Sequence, residues 1–333
     1  MLTRCETEGH TSWINAVNRL KATHHRERSM AQVGRTMPSK TSRTQAHAEA
    51  YAQRMNKVLD HIDRHLDQTL DLAALAEVAH FSAYHFHRIF VAWMDETPGD
   101  YLSRRRLDVA ALTLSHQPDV PVLDVAVSVG FGSGEAFARA FKSRFGCTPS
   151  NWRGGTAQRW AQDLTQNSNL DQAACLGRGN DGNHFDTQVE KKPIIMEISV
   201  QTLPPVRAAY IRHIGPYGPS VTRFWRDTFL PWREAHGLSH ATCYGIGHDD
   251  PFITPPDKCR CDACVEVPPD FKAVSPAGIA TLPGGRYAVA RYQGNGADIT
   301  QAWTRLMRDW LPSSGMQVDG PSHFRYFRAP GRE

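Results

Sequence analysis

The sequence lacks the features that would place it in a membrane or in an oxidising compartment. Among its 333 residues no apolar run approaches the roughly eighteen residues that a membrane helix needs. The N-terminus lacks the apolar core of a secretory signal, so we expect a cytoplasmic protein with no membrane partner. The seven cysteines are an odd number and are thinly spread. That count does not fit a disulfide scaffold and favours a reducing compartment.

The chain also has little excess charge of either sign, because its net charge is only +4. Residues 1–46 hold eight Lys and Arg against three Asp and Glu, whereas residues 47–155 hold eleven against thirteen. The positive excess therefore lies in the first segment. This segment has no sustained apolar period, so we expect 1–46 to be a basic, disordered arm.

Residues 47–155 carry helix signals and few strand signals. Asp71 and Ser82 precede short apolar segments and are suited to cap helices. Thr97 and Thr148 are each followed by proline, a combination typical of a helix start. These patterns predict an all-α domain.

One pattern occurs twice within this domain. Fifty-one residues separate Phe86, Arg88 and Phe90 from Phe137, Arg139 and Phe141. Each copy follows a short apolar helix and a turn, so each predicts a helix-turn-helix unit whose second helix buries phenylalanine. The polar outer face of such a helix suits the DNA major groove, and two units on one helical linker could read successive grooves. The alternative is an ordinary helical bundle with these residues on its surface.

The residues that match a known family run through both copies. They are Leu75, Ala76, Phe81, Ser82, His85, Phe86, Arg88, Phe90, Ala126, Gly130, Phe131, Phe137, Arg139, Ala140, Phe141, Lys142, Phe145, Gly146, Pro149, Trp152 and Arg153. On these residues, 47–153 resemble the DNA-binding domain of the AraC/XylS family of bacterial transcription regulators. The resemblance implies binding to double-stranded DNA and contact with RNA polymerase.

The resemblance also assigns residues to the DNA. The first recognition helix would present Tyr84, His85, His87 and Arg88. The second would present Ser133, Gly134, Glu135, Ala138 and Arg139, with Lys142 near phosphates. Arginine can pair with guanine through two hydrogen bonds, and glutamate can accept from the cytosine amino group. Because 47–155 has a net charge of −2, we expect specific binding to depend on the placement of Arg88, Arg104, Arg105, Arg106, Arg139, Lys142 and Arg144.

The pattern changes after a segment rich in Gln, Asn, Asp and Gly over 156–194, which predicts a linker. Residues 196–200 and 287–292 alternate with period two. Helical patterns lie at 219–236 and 297–311. Because the strand-to-helix order appears twice, we expect 195–333 to be an α+β domain with an internal repeat.

Runs at 213–218, 244–251, 254–265 and 282–289 carry a second resemblance. On them, 195–328 are similar to the GyrI-like small-molecule-binding domain. The resemblance implies two strand-helix repeats around an aromatic cleft that receives organic, often cationic, compounds. The candidate lining residues are Tyr217, Trp225, Tyr244, Trp303, Phe324 and Tyr326. Alternatively, several of these aromatic side chains belong to the core.

Phe324 stands where the family carries a glutamate that pairs with cationic ligands. Its presence weakens the expectation of a cationic ligand and of the hydrolase activity that some relatives have, and makes a neutral or anionic ligand plausible. We therefore expect a DNA-binding regulator that senses a small organic effector, with no enzymatic activity and no cofactor. A hydrolase or a ligand-sequestering protein acting through the second domain is the alternative.

A cysteine cluster raises the question of a metal site. Cys259, Cys261 and Cys264 lie near Cys243 and His248 in the sequence, and sulfur and imidazole are zinc ligands. The spacing departs from the usual CxxC pairs. In an extended segment the side chain of Cys264 would point to the opposite face from those of Cys259 and Cys261. We expect no metal, with zinc or thiol sensing as the alternative.

Overall fold

Seven helices occupy the first large segment that the structure describes. The computed structural model describes residues 2–7, 40–157, 196–292, 305–316 and 325–329. The helices are α1 (Lys40–Arg64), α2 (Leu72–Val78), α3 (Ala83–Met94), α4 (Pro98–His116), α5 (Val122–Ser128), α6 (Gly134–Phe145) and α7 (Pro149–Asn151). A wider helical turn, of the π type, follows α7 at Trp152–Thr156. No helix in the described part of the chain is both long and apolar enough to cross a membrane.

Side-chain caps set where these helices begin. Five side-chain oxygens each accept a hydrogen bond from the backbone N–H three residues later, those of Asp71, Ser82, Thr97, Ser133 and Thr148. Proline occupies the first turn of α4 and of α7, where its missing N–H costs nothing. Each cap satisfies a donor that the helix itself leaves unpaired. The four helix starts predicted at Asp71, Ser82, Thr97 and Thr148 are therefore confirmed, and the cap at Ser133 is an addition from the structure.

The helices α2–α3 and α5–α6 form two helix-turn-helix units joined by α4. In the first unit, Phe81 N donates to Ala76 O at 3.0 Å. In the second, Phe131 N donates to Ala126 O at 2.9 Å. The buried aromatic residues of the two second helices are Phe86, Phe90, Phe137, Phe141 and Phe145. One hydrophobic cluster contains all five, so both units are anchored in a common core.

Gly130 closes the turn of the second unit with φ of +83°. A Cβ at this position would lie 2.3 Å from the carbonyl oxygen of Leu66. At nearby Gly132, by contrast, a Cβ would meet nothing within 4 Å. We expect Gly130→Ala to lower the free energy of unfolding by about 1–3 kcal/mol, measured by urea denaturation. Gly132→Ala is the matched control and should leave the midpoint nearly unchanged; equal effects would contradict this account of the turn.

The rest of the described chain is built around one mixed sheet with the strand order β2-β7-β1-β8-β4-β5-β3-β6. The strands are β1 (Leu2–Thr7), β2 (Met196–Leu203), β3 (Val206–Ile214), β4 (Cys243–Gly247), β5 (Arg260–Glu266), β6 (Gly278–Leu282), β7 (Gly285–Tyr292) and β8 (Arg325–Ala329). Between β3 and β4 lie α8 (Pro219–Phe224), a wider turn (Trp225–Phe229) and α9 (Leu230–Ala235). Between β7 and β8 lie a wider turn (Arg305–Trp310) and α10 (Leu311–Ser313).

The sheet contains the predicted duplication. Strands β2 to β5 form one repeat around α8 and α9, and β6 to β8 form a second repeat around α10. The repeats exchange strands, since β2 pairs with β7 and β6 pairs with β3, both antiparallel. An antiparallel pairing of β4 with β8 also joins them. A helical double helix-turn-helix domain followed by a duplicated α+β domain is therefore confirmed.

The prediction of a disordered arm over residues 1–46 is wrong at both ends of that segment. Leu2–Thr7 pairs in parallel with both β7 and β8, and α1 begins at Lys40 rather than after 46. A strand of six residues takes its partners from segments far along the chain, so its own composition gives little warning of the pairing. Residues 8–39 and most of the predicted linker, 158–194, lie outside the described residues.

Candidate nucleic-acid interface and its link to the sheet domain

Helix α3 presents a polar face opposite its buried phenylalanines. Tyr84 is 73 % exposed, and Arg88 is exposed one turn further on. The guanidinium of Arg88 lies 5.7 Å from the centre of the Tyr84 ring, a cation–π contact that orients it on the helix surface. His85 is exposed and packs against Phe81, with ring centres 5.1 Å apart. His87 is half-buried.

Helix α6 repeats this arrangement with shorter side chains. Glu135, Arg139 and Lys142 are exposed along one side of the helix. Gly134 and Ala138 are half-buried between them. The hydroxyl of Ser133 accepts from Ala136 N at 3.2 Å and so is engaged in the cap. The exposed charged groups of α6 are therefore one carboxylate and two cations.

Four of the seven basic residues whose placement was expected to decide DNA binding point into the protein. Arg104 binds Glu96 and Asp108. Arg144 also binds Asp108, at 2.5 Å. Arg105 pairs with the carboxylate of Asp63. Arg106 donates to the backbone carbonyls of Leu66 and Gln68. Among the seven, Arg88, Arg139 and Lys142 are therefore the outward basic groups.

A buried ion network joins the helical domain (40–157) to the sheet domain (the strands and their connections). Arg105 contacts Asp249 at 2.5 Å and Asp63 at 3.0 Å. Arg260 contacts the same two carboxylates, at 2.8 Å and 2.7 Å, and donates to the hydroxyl of Tyr101. Two guanidiniums thus share two carboxylates across the domain boundary. We call these five residues the interdomain network.

The network holds its acids ionised. Burial alone would raise the pKa of Asp249, but Arg260 and Arg105 outweigh it and lower the pKa to about 2. Burial likewise opposes ionisation of Asp63, and the same two arginines hold its pKa well below the ordinary value. Burial raises the pKa of Tyr101 to about 12. At neutral pH the network therefore consists of two cations, two anions and a neutral phenol.

The loop between β4 and β5 also contacts the ends of both recognition helices. Lys258 Nζ donates to the carbonyl of Met94, the last residue of α3. Arg144, near the end of α6, donates to Ile253 O at 3.4 Å. Thr254 donates to Asp108, the carboxylate that also binds Arg144. A movement of this loop would therefore act directly on both helices.

The predicted cleft aromatics do not come together in the described structure. Trp225 packs with Phe229 on the helix-covered side of the sheet. Tyr244 is buried on the opposite face and donates to the carboxylate of Glu266. The hydroxyl of Tyr217 donates to Arg260 O at 2.7 Å, close to the interdomain network. Trp303 and Phe324 lie outside the described residues, and only the backbone of Tyr326, in β8, is described.

The cysteines of the predicted cluster lie within β4 and β5 or directly before β5. Cys243, Cys259, Cys261 and Cys264 are buried free thiols. Burial raises the pKa of Cys243 to about 11 and that of Cys261 to about 12, whereas zinc binds the thiolate. Within the described ranges, no group of three or more His, Cys, Asp or Glu side chains is placed to hold a metal.

Known proteins match both parts of the chain. Residues 75–155 match the family described as a helix-turn-helix domain, and residues 196–333 match the GyrI-like small molecule binding domain. The SPbeta prophage-derived protein YosT of Bacillus subtilis is 34% identical over 115 residues, which cover 34% of this chain and 77% of YosT. Regulatory protein SoxS of Escherichia coli is 36% identical over 92 residues, covering 28% of this chain and 85% of SoxS. The chain belongs to the AraC-type transcriptional regulators.

A further relative of this AraC-type regulator is the protein named "Probable transcriptional regulator YgiV" of Escherichia coli. It is 31% identical over 140 residues, which cover 40% of this chain and 85% of YgiV. The chain is thus a transcriptional regulator with an AraC-type DNA-binding domain and a GyrI-like domain, and both resemblances found in the sequence are confirmed.

The interdomain network was missed in the sequence, although one signal was present. Arg104, Arg105 and Arg106 are consecutive on a helix, and consecutive helical positions are about 100° apart. Three adjacent arginines therefore cannot all face DNA. No local pattern, however, indicates that Arg105 meets Asp249, which lies 144 positions away.

Proposed function

We propose that this regulator binds a specific DNA sequence by placing α3 and α6 in successive major grooves, and that a small organic compound controls this binding. The observation that carries the first part is the matched pair of helices, each with buried phenylalanines on one side and an exposed arginine on the other. A rigid pair of such helices suits two grooves one turn of DNA apart.

The exposed side chains suggest a role for each helix. Arg88 and Arg139 would each pair with guanine, and Glu135 would accept from a cytosine amino group. Tyr84, His87 and Lys142 would contact phosphates or neighbouring bases. Because few long side chains extend from α6, part of its specificity would come from DNA shape.

Control by a ligand would act through the loop between β4 and β5. This loop contacts the C-terminal ends of α3 and α6 through Lys258 and Ile253. A compound that binds one arrangement of the two domains more tightly would shift the population towards it and change the spacing of the recognition helices. The bound regulator would then act in the cytoplasm, on RNA polymerase at the promoter.

We assign the sheet domain to binding rather than to catalysis. A hydrolase interpretation would need a reactive phenol at Tyr217 or Tyr244. The Tyr217 hydroxyl is hydrogen-bonded to backbone groups of Arg260 and Asp249, and the Tyr244 hydroxyl is hydrogen-bonded to Glu266. The Tyr217 hydroxyl is therefore bound to the protein's own backbone, and Tyr244 lies in a hydrophobic core cluster of the sheet domain.

Selection from a pool of random-sequence duplexes tests the proposal. The full-length protein should enrich a bipartite sequence whose two segments are centred about 10 base pairs apart, since that is one turn of B-DNA. Beads without protein provide the control. Recovery of no sequence beyond that control, or of a single undivided segment, would contradict the use of two recognition helices.

A further inference from the structure

The position of β1 in the sheet follows an internal symmetry of the strand order. The order β2-β7-β1-β8-β4-β5-β3-β6 has the same arrangement from either edge when each strand is matched with its counterpart in the other repeat. The counterparts are β2 and β6, β3 and β7, and β4 and β8, in the same order along the chain. The remaining pair is β1 and β5. Strand β1 therefore lies where the first repeat places its own fourth strand, although it belongs to neither repeat.

The direction of β1 shows that it is not the copy of β5. Strand β5 runs antiparallel to both of its neighbours, β3 and β4. Strand β1 runs parallel to both of its neighbours, β7 and β8. A duplicated unit would reproduce the antiparallel direction. Within the described part of the chain, the second repeat thus leaves a slot between β7 and β8, and a separate segment fills it.

The slot has the chemistry of a site for an extended peptide. Residues 287–290 of β7 are buried, so the slot lies in the interior of the sheet and not at its rim. Without β1, the facing edges of β7 and β8 would carry unpaired backbone N–H and C=O groups, which are a template for another strand. An extended peptide binds such edges through main-chain hydrogen bonds. The slot therefore selects its occupant by backbone shape.

Two features make β1 separable from the rest of the sheet. A parallel ladder is slightly less stable per residue than an antiparallel one. Thirty-two residues separate Thr7 from Lys40, where α1 begins, and a chain of that length can span at most about 110 Å. Strand β1 can therefore leave the slot while α1 keeps its place in the helical domain.

Neighbouring strands connect the slot to the interdomain network. Strand β8 pairs with β1 on one side and with β4 on the other. Strand β4 ends at Gly247, two residues before Asp249, which binds Arg105 and Arg260. We infer that the slot between β7 and β8 is a binding site for an extended peptide strand, that residues 2–7 of the same chain are its ligand, and that their release loosens the interdomain network. This assignment goes beyond the proposed function and does not depend on it.

Cross-linking of the full-length protein tests which segment occupies the slot. Cys5 lies opposite Ala290 in the register of β1 and β7. Neighbouring strands are about 4.7–4.9 Å apart, a Cα separation that a disulfide can bridge. Under mild oxidation, Ala290→Cys should form a disulfide with Cys5 within one chain, identified by mass spectrometry of the linked peptides and by electrophoresis without reductant.

Val289→Cys is the matched control, because successive side chains of a strand point to opposite faces. It should not link to Cys5. No link between positions 5 and 290, or a link that joins two chains, would overturn the assignment of the slot to the protein's own N-terminal strand.

Hydrogen exchange of the full-length protein measures release of the strand. Proline lacks the N–H that a central strand needs, so Arg4→Pro should speed amide exchange in β7 and β8 by about tenfold or more. Arg4→Ala keeps the N–H and should leave exchange unchanged. The amides of His248 and Arg260, which donate to Arg260 O and to Asp249, should also exchange faster in Arg4→Pro. Those of β3 and β6, at the far edge, should not.

A synthetic peptide of residues 1–9 tests whether the strand acts as a ligand. Added at about 1 mM, in the range of effective concentrations that a tether supplies, it should restore slow exchange in Arg4→Pro. The same peptide with proline in place of Arg4 should have no effect. Unchanged exchange in Arg4→Pro, no restoration by the peptide, or fast exchange throughout the chain would overturn a separable strand. Restoration with His248 and Arg260 unaffected throughout would overturn the connection to the interdomain network.

Discussion

Replacing Arg260 with methionine is expected to lower the free energy of unfolding by about 3–5 kcal/mol. The side chain is fully buried and contacts Asp63, Asp249 and Tyr101. Its removal leaves the fully buried carboxylate of Asp249 and the partly buried carboxylate of Asp63 with Arg105 as the cation remaining from the interdomain network. An uncompensated buried charge costs more than the lost pair contributed, because the desolvation penalty stays when the partner is gone.

Urea denaturation of the full-length protein measures this change. The matched control is Arg226→Met, because Arg226 also binds an aspartate, Asp227, but both side chains are more than half exposed. Exposed pairs are screened by water, so the control should unfold at the same urea concentration as the unsubstituted protein. A midpoint for Arg260→Met equal to that of the control would contradict the role given to the network.

The double change Arg88→Ala with Arg139→Ala is expected to weaken binding to the selected duplex by about 10²-fold or more. A bidentate contact between arginine and guanine discriminates by about 1–3 kcal/mol. Both side chains are exposed, so their removal should leave the fold intact. Binding to random duplex should fall far less, because that binding depends on phosphate contacts summed over the surface.

Fluorescence anisotropy with labelled duplexes measures both affinities. Arg223→Ala with Arg226→Ala is the control, since it removes two exposed arginines from the sheet domain. It should shift both affinities slightly and equally. The assignment of α3 and α6 to base recognition would be wrong if the recognition double variant weakened both duplexes to the same extent as this control.

The helical domain could be predicted because its signals are local. Ser82 and Thr97 each cap a helix through a hydrogen bond from the backbone N–H three positions later. The phenylalanines of each recognition helix recur at one-turn spacing and fill a common core. A short-range pattern of this kind determines both the start of a helix and its buried face.

The pairing of charged side chains could not be predicted, because it depends on distant segments. Arg104, Arg105 and Arg144 look like surface cations in the sequence, yet each binds a carboxylate inside the protein. The same limit applies to Trp225 and Tyr244. Trp225 packs with the helices on one face of the sheet, and Tyr244 lies on the opposite face. Residue type alone did not indicate which face each would occupy.

The strand at the N-terminus has a similar explanation. Leu2–Thr7 gains its hydrogen bonds from β7 and β8, whose residues lie at 285–292 and 325–329. A basic segment without apolar periodicity gives no local indication of such partners. Pairing between distant segments is therefore the common reason for the differences between prediction and structure.

The central claim is tested most directly by comparing two affinities. One is for the selected duplex, and the other is for the same duplex with both of its recognition segments scrambled. Both affinities should be measured by anisotropy at several salt concentrations, since salt weakens phosphate contacts in both duplexes. A sequence-specific regulator predicts a ratio of at least about 10³ at physiological salt. Equal affinities with parallel salt dependence would contradict sequence-specific recognition by this protein.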